Sequence, residues 1–349
     1  MTTQRLTFLL LALPFPFLFG VRAEEKKNPQ PITFRLERLD AAFDKLVAPD
    51  AKLEELANGF AWTEGPVWVP DGKGYLLFSD IPNNRVVKWQ EGKGVSDFLK
   101  PIYAGARTDL REPGSNGLLL DAEGRLVLCE HGNRRIARLE RDGKTRTTLV
   151  DRYEGTLLNS PNDACYRSNG DLYFTDPPYG RWVKNPNRLI DERTWFPDVD
   201  LGFNGVYRLS KDGKLTLLTK EMSKPNGIAF SPDEKTLYVS QSDPFKAVWM
   251  AFPVKEDGTL GKGKVFFDVM KMVGKKPGLP DGMKVDRGGN LFATGPGGVL
   301  VISPEGKHLG TIGTGVPTAN CCWGEDGSVL YVCCNTAIAR IKTLTRGKK

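Results

Sequence analysis

Glu64-Gly65-Pro66-Val67-Trp68 opens the run whose reading decides the fold, because the chain returns to it repeatedly. Each copy starts with a polar residue, rises through apolar residues, turns, and re-enters an apolar strand. The copies are Asn116-Gly117-Leu118, Asn162-Asp163-Ala164, Asn226-Gly227-Ile228, Asp281-Gly282-Met283 and Asn320-Cys321-Cys322. An apolar residue opens a second strand ten to twelve positions after each leading residue, at Leu76, Leu126, Leu172, Leu237, Leu291 and Leu330. Six copies of one supersecondary unit mark a repeat architecture.

Outward from that run, each of the first five copies continues through two further short apolar strands, whereas the sixth stops at 337–342 with three strands. Four strands repeated six times predict an all-β fold, a six-bladed β-propeller with four-stranded blades. A three-stranded last blade would leave an open edge, which folded sheets avoid. The alternating segment Lys52-Leu53-Glu54-Glu55-Leu56-Ala57 is expected to fill that edge and close the ring. The propeller is expected over residues 51–345, with a polar, Pro-containing linker at 24–50 and a basic tail at 346–349.

Residues 1–23 read as a secretory signal: Arg5, an apolar core from Leu6 to Phe19, and Val21-Arg22-Ala23 as the cleavage site. The core is short, interrupted by Pro14 and Pro16, and poorly suited to spanning a bilayer. The sequence therefore predicts an exported protein, periplasmic or secreted, with no membrane segment once the signal is removed. The formal charge of +7 falls to about +5 without Arg5 and Arg22, and its scattered Lys and Arg give no nucleic-acid footprint. Export permits disulfides. Yet Cys129, Cys165, Cys321, Cys322, Cys333 and Cys334 sit in strand patterns and read as buried thiols, the alternative being a geometrically awkward cross-strand bond within the last hairpin.

Topology turns the repeat into a site. Each leading residue precedes an innermost strand, so Glu64, Asn116, Asn162, Asn226, Asp281 and Asn320 are expected at one mouth of the central channel. Second strands return to the same mouth, placing Glu130-His131 and Asp176 on its rim. The long insertion 177–204, with Tyr179, Arg181, Trp182, Trp195 and Phe196, is expected to hang over the opening; loops of that length are usually functional or disordered. Oxygen donors without His or Cys suit a hard cation such as Ca²⁺. The competing structural reading is that Asn-Gly and Asp-Gly are common turn dipeptides.

Four segments carry a family resemblance: Thr63-Glu64-Gly65-Pro66-Val67-Trp68, Ser160-Pro161-Asn162-Asp163, Lys224-Pro225-Asn226-Gly227 and Leu279-Pro280-Asp281-Gly282-Met283. Together they resemble the SMP-30/gluconolactonase/LRE-like family, in order and over roughly residues 50–345. The resemblance implies a six-bladed propeller lactonase with a divalent metal, usually Ca²⁺, held by Glu64, Asn162, Asn226 and Asp281. Ser115-Asn116-Gly117 and Cys129-Glu130-His131-Gly132 are similar to bacterial members. The animal branch carries Arg two residues before the third-blade Asn, where this chain has Ser160.

The resulting expectation is Ca²⁺-dependent opening of a small-molecule lactone by activated water. Asp281, on the resemblance, or His131, whose unperturbed pKa suits the task, would be the base. Asn116, Asn162, Asp176, Tyr179 and Arg181 are the candidate substrate contacts. A non-catalytic sugar- or protein-binding propeller and a phosphotriesterase remain the alternative activities, because a fold does not fix a function.

Overall fold

The computed structural model describes residues 31–184 and 199–348. The expected signal at 1–23 lies outside these, as do Trp195 and Phe196. Among the described residues no helix is long and apolar enough to cross a membrane.

Among the described residues, and apart from a small hairpin pairing Arg152–Tyr153 with Thr156–Leu157, the strands form six sheets in a ring, a six-bladed β-propeller. Blade one runs from Thr63–Val69 at the channel through Tyr75–Asp80 and Arg85–Gln90 to Gly94–Leu99. Blades two, three and four begin at Ser115–Leu120, Ala164–Tyr166 and Pro225–Phe230, each with four antiparallel strands. Blade six contributes Thr318–Gly324, Val329–Cys334 and Ala337–Lys342, and its outer strand is Leu53–Asn58. Leu53 faces Ile341 and Asn58 faces Ala337, so the expected latch closes the ring.

A hydrophobic cluster fills every interface between neighbouring blades, including the closing one, where Phe60, Leu76 and Phe78 meet Cys322, Val329 and Tyr331. Trp68 stacks on Tyr331 there at 5.2 Å between centroids, a geometry that adds to simple area burial. All six cysteines are free thiols, and all but Cys165 are fully buried among these side chains.

The structure corrects the expected linker. Within residues 24–50, Arg35–Arg38 pairs with His308–Gly313 as a fifth strand on blade five, whose inner strand is Met283–Val285. A 3₁₀ turn at Ala41–Lys45 follows, capped by Asp40 and burying Phe43 between blades five and six. The missed signal is the alternation Ile32, Phe34, Leu36, whose side chains all pack on that cluster. Phe43→Ala is expected to cost roughly 3–5 kcal/mol by leaving a cavity, measured as a lower urea midpoint with an unchanged far-UV spectrum. The basic tail is also docked: the Lys348 N–H donates to the Val285 carbonyl, and its Nζ lies 3.2 Å from Glu234.

Candidate functional site

The leading residues lie inside or beside the innermost strands rather than in turns. The ladder slips between Glu64 and Val67, between Ser115 and Leu118, between Pro225 and Ile228, and between Thr318 and Asn320. Such bulges re-aim a side chain, and here they accompany Glu64, Asn116 and Asn226, all of which line the cavity. The Gly after the leading residue answers a close approach between blades. At Gly65, φ is +49° and a Cβ would lie 1.9 Å from the Asn116 carbonyl oxygen, so no other residue fits.

The ring is linked by amides. Asn116 Nδ2 donates to Asn162 Oδ1 at 2.6 Å, and Asn162 Nδ2 donates to Asn226 Oδ1 at 2.5 Å. Asn226 Nδ2 then donates to Ser242 Oγ at 3.0 Å. Glu64 takes the Gly65 N–H on one carboxylate oxygen, at 2.9 Å. Asp281 Oδ1 is buried without a hydrogen-bond partner, as is Asn116 Oδ1. Glu64, Asn116, Asn162, Asn226 and Asp281 together line the deep end of a cavity of about 810 Å³. Asn320 is not among the lining residues; it donates to Asp163 Oδ2 at 3.4 Å and accepts the Cys321 N–H.

Electrostatics set the two ring carboxyls apart. Burial, and then the charge of Asp163, push the Glu64 carboxyl up to about 8. Burial, then Glu64 and Asp163, hold Asp281 well above the usual carboxylate range. Like charges crowded in a desolvated site resist ionisation unless a cation joins them. Among the described residues no three His, Cys, Asp or Glu side chains cluster as a metal centre. The donors on offer are two carboxylates and amide oxygens, one carboxylate oxygen being unpartnered, and that set fits a hard cation taking oxygen ligands.

Tyr179 stands on the cavity wall as expected, in the 3₁₀ turn Tyr179–Arg181, and Trp182 follows it there. His131, Asp176 and Arg181 are absent from the lining. The turn covers His131: a Cβ on Gly180 would sit 2.6 Å from His131 Cβ and 2.7 Å from Ser160 Cβ. His131 is fully buried, and desolvation lowers its pKa to about 4, leaving a neutral ring 3.6 Å from Glu112. Asp176 accepts the N–H groups of Asn159 and Ser160, bracing the chain just before Asn162. Arg181 faces Asp200 at 3.7 Å. Ser160 Oγ donates to the Pro177 carbonyl and accepts the Gly180 N–H, so it secures this turn.

Sequence reasoning missed Glu112. It lines the cavity from the segment before blade two, and burial pushes its carboxyl up to about 7. No repeat position or motif marks it, so nothing local could have found it. The segment 273–279 and Trp62 were missed for the same reason; they also line the cavity.

Fold and site together define a six-bladed propeller with an oxygen-donor ring at the base of one deep cavity. The chain belongs to the family described as "SMP-30/Gluconolactonase/LRE-like region", whose sequence model matches residues 62–336. It is 40% identical over 326 residues to a gluconolactonase from Zymomonas mobilis, covering 89% of this chain and 85% of that one. A solved gluconolactonase from Xanthomonas campestris shares 34% identity with a TM-score of 0.75, covering 90% of this chain and 97% of that one. Regucalcin from Agrobacterium tumefaciens, described as a calcium-binding protein, shares 18% identity with a TM-score of 0.64 over 85% of this chain and 95% of that one. At that identity the likeness speaks for the fold alone.

Proposed function

We propose that this chain is a lactonase that opens its substrate with water on the floor of the cavity, with Ca²⁺ as its cation. The observation that carries the reading is the ring itself: two buried carboxylates that repel each other, interleaved with amides, beneath the cavity. Glu64, Asn162, Asn226 and Asp281 would hold the cation, which would polarise the acyl oxygen as a Lewis acid.

The remaining steps belong to the protein's own groups. Asn116 and Asn162 orient the lactone from the floor. The attacking water forms the new C–O bond as the Asp281 carboxylate, which a bound cation would keep ionised, receives its proton. When the ring C–O bond breaks, the departing alkoxide needs a proton. Glu112 supplies it, since a carboxyl near 7 is a competent acid at neutral pH. His131 backs Glu112 from within the protein.

The reading is tested by following acid release from simple γ- and δ-lactones at constant pH, with and without chelator. Cation-dependent release is expected. No release from any lactone would favour a binding propeller, and hydrolysis confined to phosphotriesters would favour the phosphotriesterase. Glu112→Gln is expected to lower kcat about a hundredfold with little change in KM. The wild-type rate should fall as pH rises through about 7, where Glu112 loses its proton; the variant should lack that limb. We also propose export through residues 1–23, checked by sequencing the N-terminus of the protein purified from its natural host.

A further inference from the structure

We propose that the cavity selects lactones carrying an apolar substituent several carbons long, in preference to polyhydroxylated sugar lactones. The inference rests on the lactonase reading and deepens it. The first observation is how the cavity is divided. Its polar ring lies at the floor, while the wall above sets Trp62, Ile81, Tyr179, Trp182, Val273 and Leu279 among a few charged residues, Arg111, Glu112, Lys275 and Lys276. At the rim Phe245 is 71% exposed, an apolar ring left in water beside the opening.

The second observation is that some of the polar groups of the wall are already engaged. Lys276 is bonded to Glu37 at 2.7 Å, and the Arg111 guanidinium lies 5.5 Å from the centroid of the Trp182 ring. Ser242 Oγ accepts from Asn226 and donates to the Pro280 carbonyl. Ser160 is turned into the Tyr179–Arg181 turn and does not line the cavity. Lys275, Glu112 and the Tyr179 hydroxyl stay open to polar groups, so the apolar side chains of the wall, rather than a lack of donors, carry the preference.

Size agrees. A cavity of about 810 Å³ is of the class that encloses drug-sized ligands, and a sugar lactone of about a dozen heavy atoms would fill only part of it. Each hydroxyl pressed against hydrocarbon without a partner weakens binding. Each methylene removed from water strengthens it about three- to fourfold.

The test compares kcat/KM of the full-length protein with Ca²⁺ for D-glucono-1,5-lactone and for δ-valero-, δ-hexa-, δ-octa- and δ-decalactone. The expected result is a rise of about three- to fourfold per added methylene until the chain reaches the rim, with δ-decalactone outpacing the sugar lactone. Phe245→Ser, at an exposed position, is expected to lower the ratio of the δ-decalactone to the δ-valerolactone rate. A flat or falling series, or faster turnover of the sugar lactone than of δ-decalactone, would overturn the selectivity and leave the lactonase reading standing. Hydrolysis of no lactone at all would overturn both.

Discussion

Asp281→Asn is expected to lower kcat/KM by about a thousandfold, roughly 4 kcal/mol of barrier, with the protein still folded. On the proposed reading, the variant removes a cation ligand and the proton acceptor of the attacking water in one change. Glu64→Gln removes a ligand alone, so it should lose comparable activity at low cation concentration and recover part of it at high concentration. Asp281→Asn should not recover. Calorimetric cation titration and initial rates on the same samples separate the two cases. If both variants bind cation like the wild type and keep full activity, the ring of Glu64, Asn162, Asn226 and Asp281 is not the cation seat.

In chelator, stability is expected to fall as pH rises from about 5 to about 8, and added Ca²⁺ should restore it. The sign follows from the carboxyls of the ring. The folded-state pKa of Glu64 is raised to about 8 from an ordinary 4.5, and that of Asp281 is raised as well. The folded protein therefore holds protons that the unfolded chain has released in this window, and raising the pH favours unfolding. Cation binding replaces those protons, and by mass action adds about 2.7 kcal/mol at a hundred times its Kd. Below about pH 4 the pattern is masked, because carboxyls such as Asp97, lowered by hydrogen bonds from Arg85, then lose their own stabilising charge. Glu64→Gln in chelator should flatten the slope and raise the melting temperature, since it removes one of the repelling charges. Thermal melts of both proteins at pH 5, 6.5 and 8 decide the matter. A wild-type slope of the opposite sign, or one that Glu64→Gln leaves unchanged, would mean that these carboxyls are not destabilising the cation-free fold.

The ring was legible because it is written periodically. Glu64, Asn116, Asn162, Asn226 and Asp281 each occupy the same place in a repeat, and equivalent places in a closed ring converge on the axis. His131 and Asp176 were legible only as far as the rim. Strand order carried them to the correct mouth, but whether a rim side chain faces the cavity or the protein depends on what packs over it. For His131 that is Gly180, from another blade. For Asp176 it is the Asn159 and Ser160 N–H groups, which use its two oxygens. The strand Arg35–Arg38 escaped notice because polar and Pro residues surround it, although Ile32, Phe34 and Leu36 carried its alternation.

By itself the sequence determined the blade count, the closing strand Leu53–Asn58 and the identity of the oxygen donors. These follow from local alternation and a repeat period, which any stretch of chain displays without reference to its distant neighbours. Only the tertiary structure decided that Glu112 shares the cavity, that most of its wall is apolar, and that His131 is sealed beneath a turn. Those features are made by segments tens to hundreds of residues apart, and burial, which sets their chemistry, has no period in sequence.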